Sequence, residues 1–299
     1  MIHPATFSDL EAINSLSKDT FGQDYHIKNI DPEKRIKNMK IGYLIEKCAS
    51  ILPLYRKMFD FHVYEVNNDI AGCVLIIKKS PTTFNYAVVE VAKPYQGQGI
   101  GHALLEYCEK ECKKRGAKYI TMEIRKENVP ALSLATKCGF KKYGEYTMLI
   151  LTVPVNYHKG ISIVPLPIKD YKKIEILEKR AKPESQLKIE GTVYSPSVFG
   201  DVISLGRKIL FGEKFYQYIL KNETINAYAK VSYLADNSSS LEVLSAADCN
   251  TFKLFVETVL HHHGKPKMAT MVFGNTIKNV LTSLGFEEYF HYDAVYKPM

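Results

Sequence analysis

The run from Val88 to Leu105, V-V-E-V-A-K-P-Y-Q-G-Q-G-I-G-H-A-L-L, leaves this chain few ways to fold. It opens as an apolar, β-branched stretch and turns at Lys93-Pro94. It then crosses a glycine-rich hexad, Gln96 to Gly101, and continues as an amphipathic helix. Ile100, Leu104, Cys108 and Cys112 recur four apart with Leu105 beside them, which gives that helix one apolar face. A strand, a glycine turn and a helix start, in that order, make an anion site. With no side chain at Gly97, Gly99 or Gly101, backbone N–H groups can close around a phosphate, and the helix dipole adds partial positive charge. Spacing excludes the best-known phosphate loops. A P-loop ends Gly-Lys-Ser/Thr, whereas His102 and Ala103 follow Gly101; a dinucleotide loop needs Gly-x-Gly-x-x-Gly, whereas these glycines stand at 97, 99 and 101. On the hexad alone, an ordinary strand-to-helix turn remains open.

The pattern that does fit is Gln-x-x-Gly-x-Gly, at Gln96, Gly99 and Gly101. It resembles the acetyl-CoA pyrophosphate loop of the GNAT (GCN5-related) N-acetyltransferases, whose pattern is Gln/Arg-x-x-Gly-x-Gly/Ala. Val91, Pro94 and Tyr95 stand where that family often has V-x-x-P-x-Q. Further on, M-E-I-R-K-E-N-V-P-A-L-S-L-A-T-K-C-G-F, from Met122 to Phe140, is similar to the family segment x-E-V-x-x-x-N-x-x-A-x-x-L-Y-x-x-x-G-F. Glu123, Asn128, Ala131, Leu134, Gly139 and Phe140 match it, and the two segments follow one another in the family order.

The surrounding pattern agrees. Ser8 to Glu11 spells a capping box, and Leu10, Ile13, Leu16 and Ser17 give the following helix an inward face. A second helical region is expected over about 32–59, broken near Gly42 and Pro53. Strands are expected over 61–66, 70–78 and 85–92, with turns at Asn67-Asn68-Asp69 and Ser80-Pro81. After the glycine turn and its helix come a strand over 119–125, a helix over 129–138, and two closing strands over 141–146 and 148–153. This β-α-α-β-β-β-α-β-α-β-β order is that of the GNAT fold, and the resemblance covers roughly 1–153.

A linker at 154–160 precedes a second pass through the same pattern. A strand over 161–164 and a helix over 168–180 lead to strands over 215–221, 225–234 and 241–244, joined through Asn222 and a polar turn over 236–240. Then come a helix over 251–262, a strand over 268–273, a helix over 277–284 and closing strands. Gly116, Asn128 and Gly139-Phe140 line up with Gly264, Asn275 and Gly285-Phe286, which reads as an internal duplication. Where the hexad should return, the chain has S-A-A-D-C-N-T-F (Ser245 to Phe252), with no glycine and with Asp248 to repel a pyrophosphate. The expected fold class is therefore α/β (α+β), as two tandem GNAT acyl-CoA N-acyltransferase-like domains. Each would be a mixed, mostly antiparallel sheet flanked by helices. The domain at 1–154 would bind the cofactor, and a degenerate one at 161–299 would be structural or shape the acceptor cleft.

The resemblance implies acetyl-CoA as cosubstrate. Backbone groups of Val89, Glu90 and Val91 would pair with its pantetheine arm as with an added strand. Gln96, Gly97, Gln98, Gly99, Ile100, Gly101 and His102 would surround the pyrophosphate, and Asn128 would touch the arm. Asn128 also reads as an N-cap ahead of Val129-Pro130, and His102 as a solvent-facing helix residue. Acetyl transfer to an amine needs a neutral nitrogen, donors for the developing oxyanion and a proton for the departing thiolate. Glu123 stands where ribosomal-protein N-terminal acetyltransferases of the family carry their base; the plainer reading is a carboxylate that lines the cleft. Glu90 is the second candidate, because alternation turns it away from Val89 and Val91 and toward the acceptor cleft. The family tyrosine that protonates the thiolate is replaced by Ala135. Tyr143, Tyr146 or water would have to substitute, or turnover is slow, and among 20 tyrosines any single one is more often structural.

Composition narrows the remaining classes. The net charge of +8 suits anionic partners in general, but no Lys/Arg run exceeds three residues, so nucleic acid is not the expected partner. With 46% apolar and 24% charged residues the chain reads as a soluble globular protein. Its N-terminus lacks a basic segment followed by an apolar core, and no apolar run reaches membrane-spanning length. The six cysteines form no Cys-x-x-Cys pair, which suits a reducing compartment, and the cytoplasm is expected. His261, His262 and His263 project about 100° apart on a helix, so no metal site is expected there. The leading expectation is an N-acetyltransferase that moves acetyl from acetyl-CoA to a primary amine of a small molecule or peptide. It would work by direct attack in a ternary complex, since no nucleophile motif is evident. The alternative is a non-catalytic CoA-binding or scaffold protein. Nothing in the sequence identifies the acceptor, an acyl group other than acetyl, or the oligomeric state.

Overall fold

In the computed structural model, residues 1–51, 57, 59–153, 161–167, 170–191, 213–221, 224–234, 236–264 and 267–299 are described. The expected linker at 154–160, the break at Pro53 and the turn at Asn222 lie outside them. The chain divides into two compact units. Unit 1 holds Met1–Tyr143, Ile189–Gly191 and Ala294–Met299; unit 2 holds Gly144–Lys188 and Thr192–Asp293. This division does not follow the two sequence halves. The strand that closes the first half passes into unit 2 at Gly144, and the chain's last strand returns to unit 1 at Ala294.

In unit 1, strands β1 (Ile2–Pro4), β2 (Phe59–Val66), β3 (Asp69–Lys78), β4 (Thr83–Val91) and β5 (Tyr119–Arg125) lie side by side in that order. All neighbours are antiparallel except β4 and β5. Asn67 and Asn68, both at positive φ, make the tight turn from β2 to β3. Helices α1 (Leu10–Lys28) and α2 (Pro32–Ala49) cover one face through Leu10, Ile13 and Leu16 against Val63 and Cys73. On the other face, α3 (Ile100–Lys114) and α4 (Val129–Lys137) pack Leu104, Cys108 and Ala135 against Val74, Ile120 and Met122.

Some local expectations are corrected. The capping box at Ser8 and Glu11 does not form. The Asp9 carboxylate instead accepts from the backbone N–H and hydroxyl of Thr6, and Glu11 pairs with Lys40. Helix α2 runs unbroken through Gly42, because one helical glycine costs only about 1 kcal/mol and tertiary packing outweighs it. The two closing strands expected around Thr147 are one, β6 (Lys141–Leu151), in which Thr147 is itself buried.

Unit 2 orders its strands as β12 (Phe286–Pro298), β6, β11 (Met268–Phe273), β10 (Ser239–Ser245), β9 (Ile225–Tyr233), β8 (Lys214–Lys221) and β7 (Val164–Pro165). Its core packs Leu149, Ala229 and Val231 of the sheet against Phe255, Val256 and Val259 of α7 (Cys249–His263) and Leu281 of α8 (Asn275–Ser283). Helices α5 (Tyr171–Ala181) and α6 (Glu184–Glu190) precede β8 along the chain, and α6 has no counterpart among the expected elements. The order strand, strand, strand, helix, strand, helix, strand from β2 to β6 recurs from β8 to β12. Gly139 and Gly285, at φ +85° and +93°, follow the second helix of each series. The aligned asparagines differ: Asn128 caps α4, whereas Gly274 takes the cap position of α8 and Asn275 is its first residue.

One register shift sets up the site. Leu75 of β3 faces Val88, but Ile76 faces Tyr86, so Ala87 is an extra residue in β4. Such a bulge bends its strand and re-aims the residues beyond it. Strand β4 pairs with β5 only from Thr83 to Asn85, against Tyr119 to Thr121. In unit 2, by contrast, β10 keeps unshifted register with β9 from Ser239 to Ser245. Gly72 lets β3 sit close behind the bent strand, since a Cβ there would lie 2.7 Å from the Glu90 carbonyl oxygen. Gly72→Ala is expected to cost about 1–3 kcal/mol, read as a lower urea midpoint. An unchanged midpoint would mean that the backbone yields there freely.

Candidate active site

Beyond Asn85 the two strands part, and the residues of β4 alternate between faces. Val89 and Val91 lie on the side of α3, whereas Val88 lies with the α1 and α2 cluster. The glycine turn comes directly after. A short 3-10 turn over Lys93–Tyr95 is tied down by amide side chains: Gln96 Nε2 donates to the Val91 carbonyl at 2.9 Å, and Gln98 Nε2 to that of Pro94 at 3.0 Å. Both glutamines thus shape the loop.

The three glycines have different jobs. Gly97 and Gly99 sit at φ +77° and +80°, and a Cβ at either would meet nothing within 4 Å, so backbone conformation is what they provide. At Gly101 a Cβ would fall 3.0 Å from Leu134 Cδ2, so this glycine lets α3 and α4 approach. Helix geometry leaves the first N–H groups of α3, at Ile100, Gly101 and His102, without intrahelical acceptors, and they stand beside the exposed loop. His102 is exposed. Asn128 Oδ1 accepts from the Ala131 N–H at 3.2 Å, so the N-cap is formed.

The candidate acid–base residues occupy opposite circumstances. Glu123 is held at both oxygens: Lys79 Nζ donates to Oε1 at 2.8 Å, and Asn85 Nδ2 to Oε2 at 3.0 Å. Its side chain keeps 17% exposure. Asn85 also donates to the Thr121 hydroxyl at 3.0 Å, which stitches the last paired rung of β4 and β5 to this carboxylate. Glu90 is 2% exposed and turned toward α1, where the Ser17 hydroxyl donates to Oε1 at 2.8 Å; Oε2 has no protein partner. Burial pushes the Glu90 carboxyl up to about 7, against the smaller opposing pull of Ser17 and Arg35. The open-cleft position expected for Glu90 is therefore not what is found; it lies under a helix.

Ala135 is 2% exposed among Met122, Phe140 and Leu104, so its place is core. Of the substitute hydroxyls, Tyr143 belongs to unit 1 and donates to Glu190 Oε1 at 2.5 Å. Tyr146 belongs to unit 2 and accepts from Gln186 at 2.9 Å. Lys79 and Glu190 have no sequence signature because neither lies in a motif; Glu190 is 67 positions from Glu123 (190 − 123).

In unit 2 the segment aligned with the glycine turn is closed chemically. The Asp248 carboxylate caps α7 by accepting from the Thr251 N–H at 2.9 Å, and Thr251's donors hold it below the usual carboxylate range. An internal anion thus takes one of the N-terminal donors that an external one would need and sets a negative charge beside the rest. Among the described residues no cluster of metal-ligating side chains occurs, and no helix is long and apolar enough to cross a membrane.

Comparison with known proteins agrees with this geometry. The acetyltransferase (GNAT) family model matches residues 34–140. The ribosomal protein bS18 alanine N-acetyltransferase of Escherichia coli is 37% identical over 116 residues, covering 35% of this chain and 76% of that enzyme. Among solved structures, a tandem GNAT protein from the clavulanic acid biosynthesis pathway is similar over 100% of this chain and 98% of its own, with TM-score 0.63 and 15% identity. A GCN5-related N-acetyltransferase from Sphaerobacter thermophilus is similar over 100% and 95%, with TM-score 0.65 and 13% identity. The chain belongs to the GNAT acetyltransferase family, with the fold of that family, and is an acyltransferase.

Glu90 makes a pH prediction. Below its ordinary value of 4.5 the carboxyl is neutral in both folded and unfolded chains, so its burial is free of charge there. As pH rises from 4.5 to about 7 the unfolded chain ionises first, and stability is lost until the folded carboxyl also ionises. Glu90→Gln should therefore match the wild type near pH 4 and exceed it by about 1–3 kcal/mol near pH 8 in urea unfolding. A difference that does not change with pH would contradict the assignment.

Proposed function

We propose that unit 1 transfers acetyl from acetyl-CoA to a primary amine by direct attack in a ternary complex, and that the chain is a tandem GNAT protein whose second half has lost the cosubstrate site. The observation that carries this reading is the parting of β4 from β5 immediately before the glycine turn. The cosubstrate supplies the acetyl thioester. Backbone groups of Val89, Glu90 and Val91 would hold its pantetheine arm across the gap. Gln96 to His102 would hold the pyrophosphate, with Gly97 and Gly99 keeping the loop open and α3 adding its positive end. Asn128 caps α4 with an exposed side chain and would touch that arm. The regular register of β10 and the self-capped start of α7 support a second half without this role.

Glu123 is the base we assign, because it retains solvent access while Asn85 and Lys79 fix its position. Glu90, sealed beneath α1, is the second acid–base candidate. Direct attack is supported by the thiols near the sheet: burial pushes those of Cys73, Cys108 and Cys112 up, the last to about 12, so none offers a thiolate nucleophile. Ala135 carries no proton. A thiol's ordinary pKa of about 8.5 makes thiolate a competent leaving group, so water suffices to protonate it. The acceptor is a peptide N-terminus or a small primary amine; the Escherichia coli relative named above acts on the alanine of a ribosomal protein.

Thiol release from acetyl-CoA, followed across peptides with N-terminal alanine, polyamines and amino sugars, tests this. With the best acceptor, Glu123→Gln should lower turnover by about 10²–10⁴-fold while CoA affinity stays as in the wild type. An undiminished rate would remove Glu123 from the chemistry.

A further inference from the structure

Ile189–Gly191 is numbered with the second half of the chain yet belongs to unit 1. Its placement there is specific. The Thr83 hydroxyl donates to the Ile189 carbonyl at 2.6 Å, and the Tyr143 hydroxyl donates to Glu190 Oε1 at 2.5 Å. Gly191, at φ +70°, lies where a Cβ would come within 3.3 Å of the Ser80 side chain. The segment is thus clamped to the hairpin that carries Lys79, and Glu190 is 3% exposed at the centre of the clamp.

That clamp sets a second carboxylate beside Lys79. Burial pulls the Lys79 ammonium down in pKa, but Glu123 and then Glu190 more than offset this, so it is held firmly protonated. Lys79 Nζ donates to Glu123, the base assigned above, at 2.8 Å, and the charge of Glu190, clamped to the same hairpin, acts on the same ammonium. Lys79 occupies the Glu123 oxygen that an incoming amine would have to reach, so the lysine must move aside for an acceptor to engage it. Glu190 is positioned to hold that lysine.

We propose that Glu123 and Glu190 form an ammonium subsite for the acceptor, with Lys79 as its resident, displaceable cation. An aliphatic primary amine arrives protonated, takes the place of Lys79 at Glu123, and leaves Lys79 retained by Glu190. The ammonium must lose two protons. The first passes to Glu123, which frees the nitrogen lone pair. The second leaves the nitrogen for solvent as the C–N bond forms and the C–S bond breaks, the electron pair of that bond departing with sulfur. The subsite therefore selects aliphatic ammonium acceptors over weakly basic aryl amines. Glu190 and Lys79 are positioning residues, and the proposal rests on Glu123 being the base.

The test uses methylammonium chloride, the smallest probe of the subsite, and the full-length chain. In Lys79→Ala the vacated position should take the probe, raising the melting temperature by roughly 2–4 °C beyond an equal concentration of sodium chloride, with the wild type showing no such excess. Lys79→Met, which keeps the length of the side chain and offers no donor to Glu123, serves if the alanine variant does not fold, and should show the same excess. Adding Glu190→Gln should weaken probe binding roughly tenfold. Folded lysine variants with no excess stabilisation, or with binding indifferent to Glu190→Gln, would overturn the subsite. Glu123→Gln separates the two readings: probe binding to the lysine variants with undiminished thiol release in Glu123→Gln keeps the subsite and discards the base. Lost release without probe binding does the reverse.

Discussion

The parting of β4 from β5 after Asn85 is the constraint on which the site depends. A sheet interior normally satisfies every backbone donor and acceptor by pairing. Here the extra residue Ala87 bends β4, and pairing with β5 stops at the Asn85 rung. The break is supported from both sides. Asn85 spans to Thr121 and Glu123 at the last paired rung, and Gly72 allows β3 to back the bent strand at Glu90. The glycine turn and the start of α3 follow directly on the parted strand, so main-chain donors and a main-chain edge come together in one stretch of chain.

The two halves of the chain differ at the segment that in unit 1 forms the glycine turn. Each carries the same order of strands and helices, with left-handed glycines at matching helix exits. In the second, β10 has no register shift against β9, and the Thr251 N–H at the start of α7 is taken by Asp248. Strand β10 parts from β11 as β4 does from β5, being paired only at Ser240 and Ala269, so the halves differ at the bulge and at the helix start rather than in the gap itself. The fold survives these differences because the core depends on apolar side chains such as Phe252, Phe255 and Leu281, not on the free backbone donors of that segment.

The parts legible in the sequence are those fixed by local chemistry. The glycines at 97 and 99 announce a left-handed backbone, the periodicity of Ile100, Leu104, Cys108 and Cys112 is the buried face of α3, and Asn128 before Val129-Pro130 becomes a cap. Tertiary decisions are not legible. The bulge at Ala87 has no signature, because an extra residue in an apolar run looks like any other. Gly42 suggests a break that packing of α2 overrides, and Glu90, placed by alternation on the correct face, is covered by α1. Glu190 has no local signal at all, since its link to Lys79 closes across a long stretch of chain.

The central claim is that this opening, and not its counterpart in the second half, receives the cosubstrate. Titrating CoA into uniformly ¹⁵N-labelled protein and following backbone amide resonances tests it most directly. The account predicts saturable shifts at Val89 to Val91 and Gly97 to His102, with those of Asn250 to Lys253 unmoved. Shifts confined to Asn250 to Lys253, or none at either place, would contradict it.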